Sequence, residues 1–137
     1  MPIRPFRRAD IPVARELLKQ LGYEIAIAAL DGRIERVLAA ADHHVAVAEE
    51  GGRVVGLLHV FERPALEKPC EAVVQALVVD AKVRGRGIGK ALMESAEAWA
   101  RARGLASVAL STRHAKIFYT RLGYGKVATS DLMRKAL

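Results

Sequence analysis

The stretch Val79-Asp80-Ala81-Lys82-Val83-Arg84-Gly85-Arg86-Gly87-Ile88-Gly89-Lys90-Ala91-Leu92 sets three alternating glycines between an apolar run and a helical pattern. The run before it, Glu71 to Val79, is apolar on both faces apart from Gln75, as a strand covered on both sides would be. After it, Ile88, Ala91, Leu92, Ser95, Trp99 and Ala102 recur at helical spacing until Gly104. Glycines between a strand and a helix let the backbone approach a ligand closely and adopt positive φ. The free N–H groups of the helix start then face whatever occupies the turn, and the helix dipole favours an anion there. Arg84, Arg86 and Lys90 add positive charge. A flexible connector would explain the glycines but not their placement among cations. The segment reads as a phosphate-binding turn.

Two common phosphate loops fail on residues. A Walker A loop ends Gly-Lys-Ser/Thr, but Ala91 follows Gly89-Lys90, and the glycine spacing is one residue short. The dinucleotide fingerprint needs Gly or Ala where Lys90 stands, and the region around Leu110 offers no ribose-binding carboxylate.

Outward from the loop, the pattern predicts a strand over Ile3–Phe6 and a helix over Ile11–Leu21 with Asp10 as N-cap and Gly22 as stop. A second helix runs from Ile27 to Ala41, and Glu50-Gly51-Gly52 joins strands His44–Glu49 and Val54–Glu62 in a hairpin. Ser107–Leu110 reads as a short strand, Ala115–Leu122 as a brief helix, and Leu132–Leu137 as a last strand. The expectation is one domain over residues 1–137, an α/β (α+β) fold whose mixed, largely antiparallel sheet carries helices on both faces.

Composition bounds the partners. The net charge is +7 over 137 residues, a balance that suits polyanions. Aromatics make up 5% of the chain and are not interleaved with the basic stretches, which weighs against a stacking platform for nucleic acid. One cysteine, Cys70, permits no internal disulfide and fits a reducing cytosol. No apolar run approaches a membrane span, and the N-terminus lacks a signal-peptide core, so the expected location is cytoplasmic. No Cys or His spacing suggests a metal site.

The loop resembles the acetyl-CoA loop of the GNAT superfamily of N-acetyltransferases, Gln/Arg-x-x-Gly-x-Gly/Ala, with Arg84, Gly87 and Gly89 at its fixed positions. Leu77-Val78-Val79-Asp80 and Ala91-Leu92 extend the match. A second stretch, Ala115-Lys116-Ile117-Phe118-Tyr119-Thr120-Arg121-Leu122-Gly123-Tyr124, is similar to the family's Ala-x-x-Phe-Tyr-x-x-Leu-Gly-Phe/Tyr. The resemblance implies that acetyl-CoA is co-substrate, with its arm in a gap between parallel strands ending at Val79 and Leu110. The backbone around Leu77, Val78 and Val79 would bond that arm. The N–H groups of Arg84, Gly85, Arg86, Gly87, Ile88, Gly89 and Lys90 would hold the pyrophosphate. The reaction implied is direct attack of an amine on the thioester. A sensor module that binds acetyl-CoA with little catalysis is the alternative, a nucleic-acid binder ranks below both, and a homodimer stays open.

The same resemblance brings Tyr119 near the CoA sulfur as a proton donor, whereas Thr112 stands where many relatives carry asparagine. Many relatives place a glutamate base where this chain has Gln75, which cannot accept a proton. Deprotonation is therefore expected through ordered water, with Glu71 assisting. Adjacent His43 and His44 read as solvent-exposed, and His59, alternating with Leu57 and Phe61, as a packed histidine, with a place facing the acceptor cleft as the lesser alternative.

Overall fold

The computed structural model describes residues 2–137. In chain order they form β1 (Ile3–Pro5), α1 (Ile11–Gln20), α2 (Ile27–Ala39), β2 (His43–Glu50), β3 (Arg53–Arg63), β4 (Glu71–Val79), α3 (Ile88–Ala102), β5 (Val108–Leu110) and α4 (Lys116–Arg121). The sheet order is β1-β2-β3-β4-β5, antiparallel throughout except for the parallel β4–β5 pair. The fold is α+β, a mostly antiparallel sheet with helices on both faces.

Alternation along the strands supplies two cores. On one face Ala46, Val55, Leu58, Val60 and Val74 pack under Ile88, Leu92, Met93 and Ala96 of α3. On the other, Val47, Leu57 and Val78 meet Ala14 and Leu17 of α1 and Leu30 of α2. The β2–β3 connection is the tight hairpin expected, with Gly51 and Gly52 both in the left-handed region at φ +58° and +78°.

Four expectations are corrected. Asp10 caps no helix with its side chain; it accepts the Arg7 N–H at 2.8 Å and pairs with Arg4. Arg4 also reaches Glu49 at 2.9 Å, tying β1 to β2 and to the start of α1. The Arg4 guanidinium holds the Asp10 carboxyl below its ordinary range. The buried stripe of α3 is Ile88, Leu92, Met93, Ala96 and Ala100, turned from the expected Ser95–Trp99–Ala102 line. Alanines on both sides of that helix made its face ambiguous, and Trp99 lies at the rim, stacked on His44 with Arg103 over its ring. His43 and His44 are half-buried, and His43 stacks on Phe61. Residues 132–137 form no strand, and Leu132, Met133 and Leu137 are exposed. A strand needs a ladder partner, and β5 presents only three residues.

Among the described residues no helix is long and apolar enough to cross a membrane.

Gly56 lies under α3: a Cβ there would stand 2.8 Å from Leu92 Cδ1 and 3.3 Å from Ile88 Cγ2. Overpacking of this kind costs about 1–3 kcal/mol. Gly56→Val is expected to lower Tm by roughly 3–10 °C, measured by thermal unfolding.

Candidate active site

Strands β4 and β5 pair only through Ala72–Val108, Val73–Ala109 and Val74–Leu110. Beyond Leu110 the partner strand ends, and residues 76–79 of β4 keep pairing with β3 alone. The β3–β4 register slips between His59 and Val60, so that Val60 faces Val74 while His59 faces Ala76. Gln75 is the extra residue of that bulge and is exposed. The gap beside Leu77, Val78 and Val79 opens directly toward the glycine loop.

The loop is held from below. Asp80 is buried and accepts the Lys82 N–H at 3.1 Å and the Gln20 amide at 3.3 Å. Those hydrogen bonds keep its carboxyl below the ordinary value, the Lys82 N–H foremost. Gln20 Oε1 in turn accepts the Ala81 N–H at 2.8 Å, so the last residue of α1 clamps the start of the turn through two adjacent residues. Sequence reading missed Gln20, because a polar residue at a helix end carries no signal of a distant partner.

Above the clamp, Gly85 and Gly87 are left-handed at φ +85° and +81°, and a Cβ at either would meet nothing within 4 Å. Gly87 is the N-cap of α3, so the first N–H groups of a fifteen-residue helix face this open space. Arg84 donates through Nε to the Val79 carbonyl at 3.1 Å. Arg86 turns to Glu50 at 2.6 Å. Exposed Lys90 sits on the first turn of α3. Gly89 does a different job: its missing Cβ would stand 3.1 Å from Phe118 Cζ, so glycine lets α4 pack on the start of α3. Free helix-end donors, open space over two glycines and flanking cations fit a pyrophosphate.

That packing also places Tyr119. Its ring meets Phe118 edge-on at 4.9 Å and Tyr124 at 6.0 Å. Burial pushes its phenol above the ordinary value, and among the described residues no group hydrogen-bonds its hydroxyl. Tyr124, by contrast, donates to Glu97 at 2.7 Å, and burial followed by that carboxylate pushes its phenol higher still. Thr112 Oγ1 accepts the Ala115 N–H at 3.0 Å and so shapes the entry to α4.

Glu71 lies at the far end of β4, below the gap. It ion-pairs with Lys68 at 3.0 Å and Arg63 at 2.6 Å and accepts from Ser107 at 3.1 Å. Lys68 first, then Arg63 and Ser107, hold its carboxyl below the ordinary value.

Two outcomes are expected. Acetyl-CoA is expected to raise the wild-type Tm, and Gly87→Val, strained in the left-handed region, is expected to abolish that rise. Gln20→Leu removes both clamp bonds and raises the acetyl-CoA Kd about 5-fold, read by calorimetry.

Residues 41–126, more than half of the chain, match the model of the acetyltransferase (GNAT) domain. N-alpha-acetyltransferase 80 of Mus musculus is 46% identical over 71 residues, which are 52% of this chain and 22% of that protein. The chain thus matches about a fifth of that relative's length. Glucosamine 6-phosphate N-acetyltransferase 1 of Oryza sativa subsp. japonica is 34% identical over 131 residues, 89% of this chain and 79% of the other. Among solved structures, an aminoglycoside N-acetyltransferase in complex with CoA superposes with a TM-score of 0.85 at 19% identity, over 99% of this chain and 95% of the other. The chain belongs to the GNAT acetyltransferase family.

Proposed function

We propose that the protein binds acetyl-CoA between β4 and β5 and transfers its acetyl group to a primary amine by direct attack. The observation that carries this reading is the divergence of the parallel pair beyond Leu110, leading straight into the Gly85–Gly87 turn at the start of α3. The free edge of β4 between Leu77 and Val79 offers the Leu77 backbone groups and the Val79 N–H to an extended amide-bearing arm, as a further strand would, while the Val79 carbonyl holds Arg84. Residues 84–90 hold the pyrophosphate by backbone N–H groups, helped by Arg84 and Lys90. Acetyl-CoA supplies the activated thioester carbonyl. A backbone N–H near Leu77 polarises that carbonyl. Tyr119, protonated at neutral pH because burial raises its phenol, gives a proton to the departing sulfur. Gln75, exposed on the bulge, cannot take a proton. Glu71, locked to Lys68 and Arg63, is read as an anchor for the lower β4–β5 junction. The family's named members act on sugar phosphates, aminoglycosides and N-termini, so the acceptor is an amine within or near those chemistries.

The test is acetyl transfer from acetyl-CoA, followed by thiol release, to glucosamine 6-phosphate, kanamycin and a peptide with a free α-amino group. Acetyl-CoA binding without acylation of any of them would favour a sensor module instead. Tyr119→Phe is expected to lower kcat about 100-fold with acetyl-CoA Kd within twofold of wild type. Glu71→Gln should lower Tm and keep kcat within several-fold, where loss of a main base would cost about 100-fold or more.

A further inference from the structure

The proposed transfer releases one proton, and the groups so far described do not take it. An alkylammonium has a pKa near ~10.4 and must lose a proton before it can attack. Gln75 cannot accept one, and Glu71 is tied up below the gap. The half-buried surface beside the bulge carries a pair that sequence reading kept apart. His43 opens β2, His59 lies in the middle of β3, and His43 Nδ1 stands 2.8 Å from His59 Nε2. His59 is the cross-strand partner of Ala76, immediately beside Gln75. Phe61 and Val73, paired across the next step of the ladder, continue the same half-buried surface toward Glu71.

We propose that His59 accepts the proton of the incoming amine and that His43 carries the charge away, making the pair the base of the acetyl transfer. This rests on the transferase function proposed above. With its Nε2 bonded to His43, His59 has Nδ1 left to offer. Among the described residues Arg4 Nε is the only side-chain nitrogen or oxygen sealed from solvent without a hydrogen-bond partner. The unbonded Nδ1 of half-buried His59 is therefore reachable. In the tautomer where His59 Nε2 donates to His43 Nδ1, a proton arriving at His59 Nδ1 moves the Nε2 proton across the 2.8 Å bond. The positive charge then rests on half-buried His43, the first residue of β2. Burial, with a smaller contribution from His43, lowers His59 to about 4, so the ring is neutral and lone-pair-bearing at neutral pH.

The transfer balances. One N–H proton goes to His59, the amine N–C bond forms, and the C–S bond breaks. The thiolate takes the Tyr119 proton, and the second ammonium proton returns to Tyr119. Other charges leave the pair alone. Glu71 is held by Arg63 and Lys68, and Asp31 of α2 by Arg8. The remaining charged residues of α1 and α2, Arg15, Glu16, Lys19, Arg33, Glu35 and Arg36, are exposed. Among the described residues, neither histidine forms an ion pair with a carboxylate.

The experiment measures kcat, kcat/KM against pH and acetyl-CoA Kd for wild type, His59→Gln, His59→Asn and His43→Gln. The acceptor is whichever of glucosamine 6-phosphate, kanamycin or the free-α-amino peptide wild type acetylates. Wild-type kcat/KM should show an acid limb set by the lowered His59 and be level through neutral pH. His59→Gln should cut kcat about 100-fold, leave Kd within twofold, and replace the plateau by a rise toward the amine's own pKa. His43→Gln should cost about 10-fold and move the acid limb of the profile, which a packing role would not do. A folded His59→Gln within threefold of wild type and with its plateau intact overturns the base while acetyl transfer stands. If neither His59 variant folds, a His43→Gln profile superimposable on wild type overturns it. Wild type that binds acetyl-CoA and acetylates none of the three amines overturns the transferase reading and the base with it.

Discussion

Beyond Val74, strand β4 keeps a ladder on one edge only. Backbone amides inside a protein need partners, and a strand with five residues unpaired on one side stays open only if something else meets them. The rest of the molecule is arranged around that vacancy of hydrogen bonds. Strand β5 stops after Leu110, and the chain departs through Thr112 into α4 in place of continuing beside β4. At the opposite end Ala72 N donates to the Ser107 carbonyl, and Glu71 gathers Arg63, Lys68 and Ser107, so the two strands are fastened where they begin and free where they end.

The two faces of the sheet divide the remaining work. One core fixes α3, whose first turn is the floor of the loop; the other fixes α1, whose last residue reaches the same loop from across the sheet. The loop is thus held by helices on opposite faces, and its backbone donors are set before any ligand arrives. The Arg4–Asp10–Glu49 cluster keeps the N-terminal segment in register with β2 and so keeps α1 within reach. An ion pair this shielded is costly to break from one side only, because the remaining charge stays in place without its partner.

The glycine loop, strand β4 and the helix after it were legible because each depends on local rules: glycine spacing, a two-sided apolar run, a helical period. The short helix that carries Tyr119 was legible from its apolar spacing and the Gly123 stop. The face of α3 was not, since Ala91, Ala96, Ala98, Ala100 and Ala102 supply apolar residues on every side of the helix. The use of Asp10, the clamp by Gln20 and the contact between His43 and His59 were hidden for a common reason. Each depends on two residues far apart in the chain, or on a strand register that no local pattern encodes. The strand expected over Leu132–Leu137 shows the converse, an apolar stretch whose partner edge is only three residues long.

Gly89 stands in the cofactor motif, yet its contact is with Phe118 of the second motif. The two signatures are therefore two halves of one joint. An alanine at 89 would bring its Cβ to 3.1 Å of the Phe118 ring, which would have to give by a few tenths of an ångström, directly beside Tyr119. A substitution in the glycine loop is thus felt first by the neighbour of the phenol, on a helix that lies far along the chain.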